Sequence, residues 1–322
     1  MQAILAVTVP FFALVLTGWL AARRGLLPES AIPGLNAYVL YFALPCLLLR
    51  FGANTPALEL LNPWLLAVYL LCAVLVVAFT LALSLNRGVG LKDASFCALV
   101  AAFPNTGFMG VPLLVALLGP AATGPVICSV LVDLFFTSSL CIALSQLQAA
   151  GEHGARAAAL RALRGALSNP LPWAIALGAL LSAGGIRLMG PVDSVTHMLA
   201  DSASPVALFS IGAMLRRAAV HAHGRTPLRD TLPVALIKLL LHPLLVFAAG
   251  SAAQRLGAPL SAFQLMVLTL AAALPSASNV SLLTERYGAD SGRVAHIIMT
   301  STVLAFGSFS ALAWRFGARA AG

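Results

Sequence analysis

The residues best suited to chemistry lie in a short stretch, 103 to 113, in the middle of an apolar run from about 94 to 118. Pro104 and Pro112 each remove a backbone donor and clash with the preceding turn, so they predict a break in a helix. In a bilayer, irregular backbone survives only where protein or a water-filled cavity surrounds it. The break is therefore a candidate binding site.

Four residues of this stretch are suited to holding an anion. The half-helix that begins after the break presents unpaired N–H groups and roughly half a positive charge, and such an end attracts anions without a basic side chain. Asn105 and Thr106 add side-chain donors, and Gly107 and Gly110 permit close approach. The pattern predicts a carboxylate site.

A second break has matching chemistry. Pro275 lies in another apolar run and is followed by Ser276, Ser278 and Asn279. If the two breaks meet, two positive helix ends converge on one small volume, and a carboxylate is the natural occupant. The structural alternative is that both prolines are ordinary kinks whose freed carbonyls are satisfied by Ser and Thr side chains.

Four ionisable residues lie within apolar runs, where an isolated charge is costly and functional roles are common. Asp133 and Asp201 are acidic, Lys238 is basic, and His242 follows Lys238 by one helical turn. Two interpretations stay open. Lys238 forms a structural ion pair with an aspartate, or the group is a coupling site in which an aspartate or His242 carries a proton or Lys238 takes the place of a sodium ion.

Composition identifies the elements that must position these residues. Of the 322 residues, 60% are hydrophobic and only 9% are charged, whereas soluble domains average about 25% charged residues. The chain is therefore predicted to be an all-α, polytopic membrane protein in contact with lipid. The formal charge of +9 lies almost entirely between apolar runs, so it indicates topology, and no nucleic-acid partner is expected.

A length of roughly 20 apolar residues per span divides the chain into ten transmembrane segments. They cover residues 3–22, 33–53, 63–85, 93–118, 121–148, 170–187, 194–215, 231–253, 260–283 and 292–314. Loops that stay in the cytoplasm carry an excess of Lys and Arg, and an outside N-terminus puts thirteen of these residues inside against five outside. Both termini are thus predicted to be periplasmic in an inner membrane.

The two halves of the chain have prolines at corresponding positions. Pro45 corresponds to Pro205, 160 residues later, and Pro104 corresponds to Pro275, 171 residues later. Five spans in each half force the halves to insert with opposite orientation, which is the inverted repeat of many secondary transporters. The predicted organisation is a first repeat over 1–148, a basic cytoplasmic loop over 149–169 and a second repeat over 170–322.

The stretch around Pro104 resembles the fourth-span signature of the auxin efflux carrier family, which includes plant auxin exporters and bacterial carriers of the malonate or malate type. Residues 36–45 resemble the second span of that family, and 274–279 resemble its ninth. The resemblance covers the whole chain. The short central loop and the residues 107–109 depart from the plant exporters, which favours a small organic anion over auxin.

The resemblance implies a fold similar to that of bile-acid sodium symporters and sodium/proton antiporters. A scaffold domain of spans 1, 2, 6 and 7, through which a homodimer would form, faces a transport domain of spans 3–5 and 8–10 that moves like an elevator. Asn105 matches the asparagine that meets the substrate carboxylate. Crossover or hinge positions are implied for Pro104, Gly110, Pro112 and Pro275, and scaffold-side lining for Tyr41, Pro45 and Pro205.

The predicted function is secondary active transport of a small mono- or dicarboxylate, with H+ or Na+ as the coupling ion and no other cofactor or metal. A sodium-coupled symporter of the bile-acid type is the alternative within this class. An intramembrane enzyme is disfavoured because no G-x-S-G or G-x-G-D run occurs and the buried aspartates lie on separate spans. A channel is disfavoured because an anion pocket at two breaks suits occlusion better than flow.

Overall fold

The structure is a computed structural model that describes residues 2–56, 60–147, 164, 167–221 and 227–317. Within these ranges the regular secondary structure is helical apart from one isolated β-bridge, as predicted for an all-α membrane protein. Most of the basic loop 149–169 lies outside the described residues. The α-helices are α1 (Gln2–Arg23), α2 (Ile32–Tyr38), α3 (Leu44–Ala53), α4 (Pro63–Asn86), α5 (Leu91–Ala102), α6 (Val111–Leu118), α7 (Thr123–Val132), α8 (Ser138–Gln146), α9 (Pro170–Ala183), α10 (Gly190–His221), α11 (Leu228–Leu236), α12 (His242–Arg255), α13 (Ala262–Ala272), α14 (Asn279–Tyr287) and α15 (Ser291–Arg315).

Seven helical segments of the described chain are long and apolar enough to cross a membrane. They correspond to seven of the ten predicted spans, namely Ile4–Arg23, Glu29–Ala53, Pro63–Asn86, Pro120–Gln146, Gly190–Arg217, Leu228–Arg255 and Ser291–Arg315. The other three predicted spans contain shorter apolar helices. The sixth is a helix of only 14 residues, and the fourth and ninth are each divided into two helices by a break.

Prolines explain where several helices widen. Five-residue π-helical turns occupy Val39–Ala43, Thr106–Gly110, Asp133–Thr137 and Ile237–Leu241. Three of these turns are followed by a proline two residues after their last residue, at Pro45, Pro112 and Pro243. Because proline has no N–H, the carbonyl four residues earlier, inside the π turn in each case, loses its usual donor. Such π turns are frequent at functional sites.

The π turn without a proline is stabilised by a hydroxyl group. The Oγ of Ser138 lies 2.6 Å from the carbonyl oxygen of Asp133 and 2.9 Å from that of Leu134. The hydroxyl of Ser138 therefore donates to a buried carbonyl that the π turn leaves without a regular backbone donor. The same turn carries the buried carboxylate of Asp133.

Two pairs of helices approach closely at glycines. Gly18 of α1 lies against the backbone of α10, and Gly212 of α10 lies against the backbone of α1. Gly52 of α3 and Gly178 of α9 make reciprocal contacts of the same kind. A Cβ at any of these positions would overlap main-chain atoms of the neighbour, so small residues set the helix separations. Since α3 also packs against α10, these four helices form one tightly packed group.

The remaining helices pack around the two broken segments. α4 packs against α5 and α12, α5 packs against α8, α11 packs against α15, and α12 packs against α13. Every residue from Ala94 to Ala102 is buried. The helix that leads into the first break is therefore enclosed by protein on all sides, which is the environment that irregular backbone at membrane depth requires.

Candidate functional site

The two predicted breaks lie side by side and are joined through their backbones. The N–H of Asn105 donates to the carbonyl of Pro275 at 2.8 Å, and the N–H of Ala277 donates to the carbonyl of Phe103 at 2.9 Å. These bonds form an isolated antiparallel bridge between the breaks. The extended backbone that the prolines leave thus satisfies its polar groups by mutual pairing.

Four backbone N–H groups beside this bridge have no acceptor. The hydrogen bonds among the described residues use none of the N–H groups of Gly107, Phe108, Ser278 and Asn279. They belong to the first turns of the two helical segments that begin after the breaks, and each such end carries a partial positive charge. Two sets of oriented donors therefore favour an anion at this point.

A small chamber lies directly beside the bridge. Its volume is about 20 Å³, which is room for a single water molecule. Four predicted site residues line it: Pro104, Asn105, Gly107 and Asn279. The side-chain oxygen of Asn279 is buried and has no hydrogen-bond partner among the described residues. The other lining residues are apolar and are Leu44, Phe103, Phe108, Val130, Leu134, Leu171 and Ala277.

The two glycines of the fourth span have different neighbours. A Cβ on Gly110 would collide with the side chain of Leu274, just before the second break. A Cβ on Gly107 would meet only Leu44 Cδ2, at an ordinary contact distance of 3.8 Å. Gly110 therefore leaves room for the side chain of Leu274 between the two breaks, whereas Gly107 keeps space open between the first break and α3.

Three predicted binding residues lie beside the chamber without lining it. Thr106, Ser276 and Ser278 are all buried. The backbone N–H of Ser276 donates to Ser301 Oγ at 3.2 Å, while the hydroxyl of Ser276 has no partner in the described part of the chain. The chamber is lined by the neighbours of these three residues rather than by the residues themselves.

The residues implied for the scaffold side are not those that close the chamber. Neither Pro45 nor Pro205 lines it, and Leu44 and Leu171 do so instead. Tyr41 is 59% exposed and lines a different cavity. Pro112 is the second residue of α6, which directly follows the π turn Thr106–Gly110, and its missing N–H leaves a carbonyl of that turn without its usual donor.

A larger polar cavity of about 240 Å³ adjoins the chamber. Phe103, Leu134 and Asn279 line both spaces. The larger cavity continues along α14 to Arg286 and Tyr287. Asn279 thus stands where the narrow chamber meets a wider, more polar passage.

A buried polar cluster links the predicted third, fifth and eighth spans. Tyr69 Oη donates to Asp133 Oδ2 at 3.1 Å, and Thr137 Oγ1 donates to Asp133 Oδ1 at 3.1 Å. The Tyr69 ring lies 5.5 Å from the His242 ring, and His242 Nδ1 lies 3.4 Å from Lys238 Nζ. The structure therefore brings together three of the four predicted ionisable residues.

Lys238 connects this cluster to the second break. Its ammonium donates to the carbonyl of Ala272, the last residue of α13, and so neutralises a helix end that is both unpaired and partially negative. No ion-pair contact joins Lys238 to Asp133 or Asp201 in the part of the chain that the structure describes. Asp201 lies apart from the cluster, 2.8 Å from His197, with its side chain 67% exposed.

Several lining residues carry no signal in the sequence. Leu44 and Leu171 are leucines in uniformly apolar runs, so nothing distinguishes them from lipid-facing neighbours. Tyr69 carries a polar hydroxyl group within an apolar span. Because a buried tyrosine hydroxyl usually has a hydrogen-bond partner, its position could have predicted a buried polar group nearby. From the sequence, Arg286 is one of the basic loop residues that indicate membrane orientation, and only the structure shows that it lines a cavity.

Several helices long and apolar enough to span a membrane, with donor-lined breaks between shorter ones, are an arrangement found in membrane transporters. Residues 3–313 match the family model described as membrane transport protein, which is the family of the auxin efflux carriers. The chain belongs to this family, and the resemblance noted in its sequence is confirmed.

Three relatives share most of their length with this chain. It is 29% identical over 317 residues, 97% of this chain and 95% of the relative, to the "Putative malonate transporter" of Rhizobium meliloti. It is 24% identical over 281 residues, 86% of both chains, to the "Uncharacterized transporter YfdV" of Escherichia coli. An "Uncharacterized transporter" of Methanothermobacter thermautotrophicus is 24% identical over 296 residues, 90% of this chain and 91% of the relative. These names indicate a multi-pass transporter rather than an enzyme.

Proposed function

We propose that this protein is a secondary active transporter of a small organic anion, held where the breaks of spans 4 and 9 cross. The observation that carries the proposal is the convergence of four unpaired N–H groups, from Gly107, Phe108, Ser278 and Asn279, beside one small chamber. Hydrogen bonds to an ionised carboxylate are stronger than neutral ones, and a water-poor interior strengthens them further. The amide of Asn105 adds a side-chain donor.

A substrate the size of malonate fits this chemistry best. The R. meliloti relative is named for malonate, a dianion whose two carboxylates are separated by one methylene group. Helix ends and amides suit the carboxylates, and Leu44, Phe108 and Leu134 suit the methylene carbon. A chamber of about 20 Å³ does not admit malonate, so binding requires the surrounding helices to separate.

The position of the chamber supports an elevator motion. In the proposed arrangement, two inverted repeats supply a scaffold of spans 1, 2, 6 and 7 and a transport domain of the other spans. The close packing of α1 with α10 and of α3 with α9 at glycines supports a rigid scaffold, which a homodimer would hold in place. Leu44 and Leu171 from the scaffold and Asn105 and Asn279 from the transport domain line one chamber, so sliding of one domain past the other would open it.

The contact made by Lys238 favours transport without sodium. In transporters with broken helices, half-helix C-terminal ends and unwound carbonyls coordinate the coupling cation. Here the ammonium of Lys238 already binds the carbonyl of Ala272, and a sodium ion would have to displace it. We therefore favour a carrier driven by the substrate gradient, or by a proton carried on Asp133 or His242, over a sodium symporter.

Uptake of radiolabelled malonate by proteoliposomes tests the proposal, with acetate, succinate and an auxin as competitors. Saturable malonate uptake is expected, and Asn105→Ala and Asn279→Ala are each expected to reduce it about tenfold or more because each removes a hydrogen-bonding amide from a buried site. Asn86→Ala, at the exposed end of α4, is the matched control. Wild-type uptake rates in both site variants would show that the substrate does not bind at this site. Single-channel currents would show that the protein is a channel rather than a carrier.

A further inference from the structure

Among the described residues that line the polar cavity of about 240 Å³, one is charged. That residue is Arg286, in the last turn of α14. The other polar lining groups are hydroxyls and two amides, from Tyr41, Ser138, Ser139, Ser168, Asn169, Asn279 and Tyr287. The cavity is therefore positively charged and rich in neutral hydrogen-bonding groups.

Arg286 has no ionic partner in the part of the chain that the structure describes. Its neighbour Glu285 pairs with Arg217 of α10, at 3.8 Å. An arginine in the last turn of a helix also has a structural use, because it interacts favourably with the helix dipole. The interaction with the helix dipole explains neither the adjoining cavity nor the absence of an ionic partner. A guanidinium without such a partner can bind a carboxylate through two parallel hydrogen bonds.

A second, larger cavity nearby contains a cation that already has an ionic partner. It has a volume of about 460 Å³ and is lined by Glu29, Glu285 and Arg217. Leu282 of α14 lines both cavities, so they lie on two sides of one helix. The guanidinium of Arg217 in the larger cavity is paired with Glu285, whereas Arg286 has no ion pair among the described residues. The unpaired cation therefore favours the smaller cavity as the anion path, although the larger one has more room.

Arg286 and Asn279 lie at the two ends of α14 and line the same cavity. Seven residues separate them, which corresponds to about 10 Å along a helix axis. The two carboxylates of malonate are one methylene apart and cannot contact both positions together. An anion would therefore occupy the two positions in turn.

We propose that the Arg286 cavity is a capture site for carboxylate anions, from which the anion moves along α14 to the donors around Asn279. This rests on the proposed function and adds to it a second anion site with selectivity for charge. A dicarboxylate gains more from the site than a monocarboxylate because Coulomb attraction grows with the charge of the anion. Attraction of this kind accelerates encounter rather than turnover.

Arg286 is among the basic residues predicted to lie on the cytoplasmic side, so malonate uptake into inverted membrane vesicles, in which that face is outermost, measures the capture step. Arg286→Gln is expected to raise KM about three- to tenfold with little change in kcat, and to abolish the rise of wild-type KM as KCl is added. Arg286→Lys should keep the salt dependence because it keeps the charge, and its KM should rise less than that of Arg286→Gln although the paired hydrogen bonds are lost. Arg229→Gln is the matched control, since the Arg229 side chain is 84% exposed and lies outside the cavity. Unchanged KM and salt dependence in Arg286→Gln would overturn the capture site.

Thiol labelling measures the charge of the cavity without any transport. Ser139→Cys and Tyr41→Cys each place a thiol in its lining, and the unsubstituted protein gives the background from the native cysteines, four of which are buried. An anionic methanethiosulfonate reagent should modify the new thiol faster than a cationic one, after correction for intrinsic reactivity, and Arg286→Gln should remove this preference.

The two measurements separate the failure of the capture site from that of the proposed function. A labelling preference that depends on Arg286, together with no carboxylate transport by the wild type, would defeat the proposed function and leave the anion site in place. Saturable malonate transport with the same labelling preference in both backgrounds would defeat the capture site alone.

Discussion

The backbone N–H of Asn105 donates to the carbonyl of Pro275 at 2.8 Å, although the two residues come from opposite halves of the chain. This bond and its companion between Ala277 and Phe103 hold the breaks in register without using a side chain. The N–H donors on either side are thereby kept at a fixed separation. The geometry of the site consequently depends on how closely the breaks approach.

Gly110→Ala is expected to lower both thermal stability and malonate uptake. The new Cβ would collide with the side chain of Leu274, and overpacking of this kind typically costs about 1–3 kcal/mol. Gly107→Ala should retain the wild-type Tm and lose uptake, because its Cβ meets only Leu44 at 3.8 Å yet occupies the chamber. Gly307→Ala, with open space around it, is the control for both measurements. A wild-type Tm in Gly110→Ala would show that Leu274 relaxes without disturbing the breaks.

Leu44→Ala is expected to shift selectivity from malonate toward longer dicarboxylates such as succinate. Leu44 lines the chamber, so its truncation enlarges the space beside the donors, at a cost of about 2–5 kcal/mol in stability for a buried leucine. Leu48→Ala removes an equally buried leucine one turn along α3 that does not line the chamber. It should lose similar stability without a change of selectivity. Equal selectivity in the two variants would place the substrate elsewhere.

Malonate uptake by the wild type is expected to be unchanged when choline replaces sodium. The ammonium of Lys238 occupies the carbonyl of Ala272, at the kind of helix end where a coupling cation would bind. Lys238→Met should abolish uptake and lower Tm, because it leaves that carbonyl buried without a donor, at a cost of about 1–3 kcal/mol. Lys92→Met, at the start of α5, should leave uptake and Tm near wild type. A strict sodium requirement in the wild type would favour the symporter instead.

A reporter that is active only in the periplasm should be active when fused to the C-terminus. The reason is the excess of Lys and Arg in the loops that a periplasmic C-terminus leaves in the cytoplasm. The same reporter fused after Val89, in the loop between α4 and α5, should be silent. An expressed but inactive C-terminal fusion would invert the topology, and the Arg286 cavity would then open to the outside.

The positions of the breaks are predictable from the sequence because their cause is local. A proline at 104 or 275 lacks an N–H whatever packs around it, and each of the ten apolar segments contains a helix in the described chain. The pairing of Asn105 with Pro275 was also foreseeable in outline, since backbone groups freed at membrane depth need partners. The identity of the lining side chains was not, because Leu44 and Leu171 are each one of several leucines in an apolar stretch.

The partners of the buried charges were beyond the sequence for a different reason. An intramembrane Lys and Asp suggest each other as partners, yet Asp133 is satisfied by Tyr69 and Thr137, and Lys238 by a main-chain carbonyl. Every residue has a main-chain carbonyl, so the residue types in the sequence do not indicate which carbonyl accepts the hydrogen bond from Lys238. Only the three-dimensional course of α13 reveals that its last carbonyl meets the ammonium.

The bridge between the breaks also has a mechanical consequence. A main-chain hydrogen bond in an apolar medium is worth about 4–6 kcal/mol against no interaction, and bending at either break would sever such bonds where water cannot replace them. The joined half-helices are therefore expected to behave as one stiff body rather than as gates swinging on Pro104 and Pro275. The flexing that a transport cycle needs would fall on the loops at the membrane surfaces, so cross-links confined to those loops should arrest the cycle while the binding chamber stays intact.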